Sequence, residues 1–239
     1  MDSRLKVNLI IPCFNEGESL KVLYEKIDKF ISEFDCNVCF YILDNGSSDN
    51  TAEIIKNFKI NKKIKFLKLI NNEGYGNGVN FGIHQVNDAD LVGWFHGDLQ
   101  FELDDLYGIY VKLEKLLKKN ENKIFFKGTR YGRSILSSIF SFFMGLIATI
   151  LLRDKFYEIN AQPTIFSTDL LKKIDNPPKD FSFDTYLYWL AKKNKYFFIR
   201  QKVKFPKRVY GQSNWDLGLT SKIKFSFKNL KYILSLMKH

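Results

Sequence analysis

The sequence predicts an α/β domain built on a largely parallel sheet, and three observations predict it. Strand-like runs at about 5–11, 36–43, 64–69, 90–95 and 123–128 alternate with amphipathic stretches at about 17–33, 49–58, 76–86 and 102–119, the order expected of successive βαβ units. Acidic and small polar residues gather directly after the strand-like runs: Pro12-Cys-Phe-Asn-Glu16, Asp44-Asn-Gly-Ser-Ser-Asp49 and His96-Gly-Asp98-Leu-Gln100. In an open α/β sheet the crevice beyond the carboxyl ends of the strands receives the ligand, so these residues are placed to meet one. The chain has 239 residues, 45% of them hydrophobic and 26% charged, enough for one well-filled core.

Taken in order, the first run opens after Met1-Asp-Ser-Arg-Leu-Lys with no leader-like segment, which sets the expectation of a cytosolic protein. Ser48-Asp49 before Thr51-Ala-Glu-Ile-Ile55 is an acceptable helix start with acid in the first turn. Cys36-Asn-Val-Cys39 has C-x-x-C spacing but leads into a strand, where residues three apart face opposite ways. Neither a redox pair nor a four-ligand zinc is expected there, and three cysteines build no disulfide framework. Asn71-Asn-Glu-Gly-Tyr-Gly-Asn-Gly78 opens a helix and is read as a glycine-rich turn beside a ligand; it has neither the Rossmann nor the P-loop spacing.

After residue 128 the pattern changes. Ile135–Leu152 is almost uncharged, and as a helix it would be about 27 Å long, just short of a hydrocarbon layer. Ser137, Ser138, Ser141, Gly145 and Thr149 weaken it as a span. A helix or helix pair lying in a membrane interface, or docked on the fold, is expected instead. A strand is expected over 158–167, a break at Asn176-Pro-Pro178, a helix over 183–193 and a strand over 195–205. Ile223, Phe227, Leu230, Leu234 and Met237 recur at spacings of three and four among lysines. They describe either a basic amphipathic helix for an anionic membrane or a terminal helix packed on the domain. The basic charge is concentrated here: residues 171–239 carry a net +12, the rest a net −1. Such a block suits anionic lipid, a phosphate-bearing substrate or nucleic acid. No nucleic-acid module pattern is present, and acidic strand ends would repel phosphate without a metal between, so nucleic acid is not the expected partner.

Ile11-Pro-Cys-Phe-Asn-Glu16, Ile42-Leu-Asp-Asn-Gly-Ser-Ser-Asp49 and Gly97-Asp-Leu-Gln100, in this order, resemble the family-2 inverting glycosyltransferases of type-A fold. Lys127-Gly-Thr-Arg-Tyr131 and Arg208-Val-Tyr-Gly-Gln-Ser213 are similar to the dolichol-phosphate mannosyltransferase and polyprenyl-phosphate sugar transferase subgroup. The resemblance covers roughly residues 5–215. It implies a three-layer α/β/α nucleotide-sugar-binding fold with a mixed, mostly parallel central sheet. A catalytic domain over 1–215, with 135–152 as an apolar interface segment, would be followed by a basic helix at 216–239. It further implies transfer of a sugar from a UDP- or GDP-sugar to a polyprenyl-phosphate or saccharide acceptor in cell-envelope glycan synthesis. The protein would be peripheral on the inner face of the membrane.

Under this resemblance Asp98 is the leading metal ligand, for Mn²⁺ or Mg²⁺, since hard oxygen ligands suit both. The family's usual Asp-x-Asp is His96-Gly-Asp98 here. His96 either joins Asp98, which it faces if the segment is an extended strand, or is a hydrogen-bonding residue at the rim. Gln162, in Asn160-Ala-Gln-Pro163, either contacts metal and phosphate or belongs to a simple turn. Asp44 is assigned to the nucleoside, with Pro12, Phe14 and Glu16 as wall and hydrogen-bonding groups and Gly74 and Gly76 alongside. Arg130, Arg208 and Ser213 are phosphate or acceptor contacts. Asp184 is either the base that takes a proton from an acceptor hydroxyl, a positioning group if the acceptor is a phosphate, or a helix cap. A domain that binds the nucleotide sugar without turning it over is the alternative that His96 favours.

Overall fold

The computed structural model describes residues 4–206, 208 and 219–237. Its strands are β1 Val7–Cys13, β2 Val38–Asn45, β3 Ile64–Leu69, β4 Leu91–Trp94, β5 Ile124–Tyr131, β6 Thr164–Ser167 and β7 Phe197–Lys204. They form one seven-stranded sheet in the order β3-β2-β1-β4-β6-β5-β7. The pairs β1–β2, β2–β3, β1–β4 and β5–β7 are parallel, while β6 runs antiparallel to both neighbours. The mixed, mostly parallel sheet expected from the sequence is therefore observed.

The helices are α1 Gly17–Glu33, α2 Thr51–Lys56, α3 Tyr75–His84, α4 Asp104–Leu117, α5 Ile135–Leu152, α6 Ser182–Lys193 and α7 Leu219–Leu236, with a 3-10 turn at Thr168–Lys173. Alternation along β1 divides the core into two layers. Leu9 and Ile11 pack with Leu20, Leu23 and Ile27 of α1 and with Ile109 and Leu113 of α4. Ile10 packs on the other face with Val79 and Ile83 of α3 and with Phe183 and Leu187 of α6. This is a three-layer α/β/α arrangement, and α7 joins it through buried Ile233 and Leu236.

Two expectations change. The strand over 158–167 shrinks to β6, because 158–163 turns: Glu158 has φ 46° and the Ala161 amide bonds to the Glu158 carbonyl. The polar tripeptide thus belongs to a loop at the end of the sheet. Likewise β4 stops at Trp94, so His96 and Asp98 sit on a bend rather than on an extended strand, and Leu99 takes φ 60°. The cysteines are all free, as expected.

Candidate active site

The carboxyl ends of β1, β2 and β4 converge because β1 pairs with both neighbours, placing Cys13 opposite Asp44 and Ile10 opposite Trp94. Cys13 is buried among Glu16, Asp44 and Asp98, and burial followed by these three carboxylates raises its thiol pKa. Ser19, on the first turn of α1, sits between the loops, its one hydroxyl hydrogen within reach of Glu16 Oε2 at 3.0 Å or the Gly97 carbonyl at 3.3 Å. The β1 and β2 loops lock through Asn15, whose amide donates to Ser47 Oγ at 3.0 Å and whose Oδ1 accepts from the Ser48 amide at 2.9 Å. Pro12 is half-buried and Phe14 exposed on this rim.

Asp44 is buried at the end of β2. Its Oδ1 accepts from the Ser47 amide at 2.8 Å, whereas Oδ2 is buried with no hydrogen-bond partner, as is Oδ1 of Asn45. A buried carboxylate oxygen without a donor is costly, which makes this one a candidate acceptor for a ligand N–H or O–H. Glu16 pairs with the Arg208 guanidinium, and burial raises the Glu16 pKa against the pull of that arginine. Gln100 Nε2 donates to the Pro206 carbonyl at 3.1 Å and so draws the segment after β7 over the site. Ser213 lies outside the described residues. Gly74 and Gly76 have a packing reason to lack side chains: a Cβ would overlap the Lys179 carbonyl at Gly74, and the Pro178 and Asp180 carbonyls at Gly76.

Asp98 Oδ1 accepts from the Gln100 amide at 3.0 Å, and its Oδ2 faces His96 Nδ1 across 3.9 Å. Burial lowers the His96 pKa, with Asp98 opposing, a shift in the direction that favours the neutral ring a metal requires. A Mg²⁺–oxygen distance is about 2.1 Å, so that gap can admit a cation between the two side chains. Among the described residues, no three His, Cys, Asp or Glu side chains come together as a cage. A cation would therefore take most of its ligands from substrate oxygens and water, as Mg²⁺ does at phosphate sites. The donor set fits such a cation.

Behind His96 runs a buried chain of polar groups. Gln162 Nε2 meets His96 Nε2 and donates to Tyr75 Oη at 3.1 Å. Tyr75 Oη also accepts from Trp94 Nε1 at 2.7 Å and reaches Asp184 Oδ1 at 3.5 Å. Asn160 Nδ2 donates to the other Asp184 oxygen at 3.2 Å. Asp184 is not a helix cap, since the Ser182 amide bonds to Asp180 instead. Burial raises the Asp184 pKa and Lys127 opposes it.

Lys127 was not among the residues the sequence singled out for the site. Its Nζ donates to Thr164 Oγ1 at 2.8 Å, and burial lowers its pKa from an ordinary 10.5 to about 7. A lone lysine within the apolar run Ile124–Gly128 was the available signal. Between pH 7 and 10.5 the unfolded chain holds this proton and the folded chain has released it, so stability rises with pH in that window. Relative to Lys127→Met, the wild type should gain up to about 1.4 kcal/mol per pH unit above neutrality. Urea unfolding at pH 7, 8 and 9 checks this, and parallel pH profiles of the two proteins would contradict it.

Arg130 reaches Glu158 Oε2 at 2.6 Å, and Arg133 reaches Glu158 Oε1 at 3.1 Å. Arg133 also donates to the Ser137 carbonyl and to Ser141 Oγ, both at 2.9 Å, anchoring the start of α5. Two buried guanidinium groups thus share one carboxylate at the side of the site.

The glycosyl transferase family 2 model matches residues 8–134, more than half of the chain, and the chain belongs to that family. It is 36% identical over 93 residues to the poly-beta-1,6-N-acetyl-D-glucosamine synthase of Staphylococcus epidermidis, covering 36% of this chain and 22% of the synthase. It is 33% identical over 97 residues to the undecaprenyl-phosphate 4-deoxy-4-formamido-L-arabinose transferase of Proteus mirabilis, covering 40% of this chain and 29% of that protein. The chain thus spans less than a third of the length of these curated relatives. The fold matches glucosyl-3-phosphoglycerate synthase of Mycobacterium tuberculosis with TM-score 0.70 at 13% identity, over 98% of this chain and 80% of that one. That structure is a complex with Mn²⁺, UDP-glucose and phosphoglyceric acid, and the same synthase has been crystallised with Mg²⁺ and UDP.

Proposed function

We propose that this chain transfers a sugar, with inversion, from a nucleoside diphosphate sugar to an acceptor carried on polyprenyl phosphate or to a growing saccharide. The observation that supports it is the orphaned Oδ2 of Asp44 on the rim it shares with Asp98 and Glu16. Asp44 takes donor hydrogens from the base or ribose, with Pro12 and Phe14 as the wall. Asp98 would hold Mn²⁺ or Mg²⁺, joined by His96 Nδ1 in the tautomer that carries the ring hydrogen on Nε2, facing the Gln162 amide, and the cation when bound would neutralise charge on the departing diphosphate. Gln162 fixes the His96 ring from behind rather than ligating. Arg208 exchanges Glu16 for a phosphate oxygen, a planar donor fork suited to that anion. The raised pKa of Asp184 suits a base that removes a proton from an acceptor hydroxyl. With a phosphate acceptor no base is needed, and Asp184 would position groups through Tyr75 and Asn160. Arg130, together with Arg133, supplies the positive charge for an acceptor phosphate.

A panel of UDP- and GDP-sugars with and without Mn²⁺, read by thermal shift, tests the reading. Ligand at 100 times Kd stabilises by about 2.7 kcal/mol, so one donor should raise the melting temperature by several degrees, and more so with Mn²⁺. A flat response across the panel contradicts the proposal. A shift without sugar transfer to any acceptor would favour the non-catalytic alternative.

A further inference from the structure

We propose that α5 and α7 together form a docking surface for an anionic lipid bilayer, on which α5 lies flat along the protein instead of crossing the membrane. The first observation is that α5 is packed the opposite way from an ordinary surface helix. Its small and polar residues face the domain: Ser137, Gly145 and Ala148 are buried, with Ser141 and Thr149 half-buried beside them. Met144, Leu151 and Leu152 pack against the core, but most of its large apolar residues face away. Ile135 is 81% exposed, Phe142 56%, Phe143 54% and Ile150 66%, and Ile139 and Leu146 are also exposed. An apolar face of this size calls for a partner.

The second observation is that polar contacts hold α5 to the domain at both ends. Near its start, Arg133 grips the Ser137 carbonyl and Ser141 Oγ, and Ser134 caps the helix. Near its end, Thr149 Oγ1 accepts from the Phe156 amide at 2.9 Å, and Gly145 lets the Phe156 backbone approach closely. Turning α5 across a bilayer would break all of these inside a medium that offers no replacement. Its 18 residues would instead lie in the interface plane.

Charge selects the occupant. On α7, which packs against α5, exposed Lys224, Phe227, Lys231 and Leu234 follow at spacings of three, four and three. They form a stripe in which cationic and apolar groups alternate, suited to lysines reaching headgroups while apolar neighbours enter the acyl boundary. Neither helix contains an acidic residue. Two copies of such a face would oppose like charges, whereas an anionic membrane complements it.

Flotation of the full chain with phosphatidylcholine vesicles, with and without phosphatidylglycerol, tests this. Binding to the anionic vesicles is expected, at least tenfold weaker for Phe142→Ser/Phe143→Ser and salt-sensitive in proportion to Lys224 and Lys231. Both phenylalanines are more than half exposed, so the variant should keep its melting temperature and its response to nucleotide sugars, which separates this proposal from the donor chemistry. In the Cys39→Ser background, Ser138→Cys and Lys155→Cys should both react with an impermeant maleimide from the side of addition. Absence of vesicle binding, reaction of only one of the two cysteines until detergent is added, or a dimer dissolved by the double substitution would each overturn it.

Discussion

Asp98→Asn is expected to lower sugar transfer on the order of 10³-fold, about 4 kcal/mol of barrier, while leaving the fold in place. The substitution is nearly isosteric, and the amide oxygen can still accept from the Gln100 amide at the bend. What it removes is the negative charge facing His96 Nδ1 across 3.9 Å. That charge is the only carboxylate of the proposed cation pair. Without it, diphosphate would depart with its charge less compensated, and the loss should fall on kcat more than on KM because it concerns charge that develops as the bond breaks. Initial rates at saturating donor and Mn²⁺, with melting temperature measured in parallel, check it. A rate within threefold of wild type, in a folded protein, would remove Asp98 from the chemistry.

Glu158→Ala is expected to cost roughly 3–5 kcal/mol of stability, the usual penalty when one partner of a buried ion pair is removed and its charge stays behind. The side chains of Arg130 and Arg133 are 7% and 6% exposed and that of Glu158 8%, so solvent screens little of the repulsion that would remain. The loss is a large share of a domain's typical 5–15 kcal/mol. It should also loosen the start of α5, whose anchor is Arg133. Urea unfolding gives the measurement: a lower midpoint with an unchanged slope is predicted. A midpoint shift worth less than about 1 kcal/mol would mean that the two arginines find other partners or water.

The sheet was largely legible because parallel strands buried on both faces read as short apolar runs, and the loops that follow lie at the sheet end where such folds receive ligands. Asp44, Asp98 and Glu16 stood out as candidates for that reason: acids in the short segments after Ile42-Leu43, Trp94-Phe95 and Ile10-Ile11 have no place in a core. What could not be read was pairing in space. Arg130 is an exposed-looking arginine in sequence, yet it is buried against Glu158, some 28 positions away. Tyr75 and Trp94 look like a helix-start residue and a core residue until Gln162 and Asp184 arrive from distant loops to complete their hydrogen bonds. The glycines of 74–78 look like a ligand turn, but what they accommodate is the backbone of 178–180 and the side chain of Asn45.

The segment 135–152 shows the same limit in another form. Composition alone admitted a span, an interface helix or a docked helix. The structure adds its orientation on the domain: Ser137, Gly145 and Ala148 face in and Phe142 and Ile150 face out. A helical wheel carries that division only when one knows which side the domain occupies. Strand length suffered similarly: a strand was expected over 158–167, but the backbone turns at Glu158 and pairing begins only at Thr164.

The measurement that bears most directly on the central claim is anomalous diffraction at the manganese edge from crystals grown with Mn²⁺ and a nucleoside diphosphate. The structure predicts a single strong peak within ligand distance of Asp98 Oδ2 and of the diphosphate oxygens, with the base or ribose donating to Asp44 Oδ2. A nucleotide bound away from Asp44, or manganese settling at a site that Asp98 does not reach, would contradict the account.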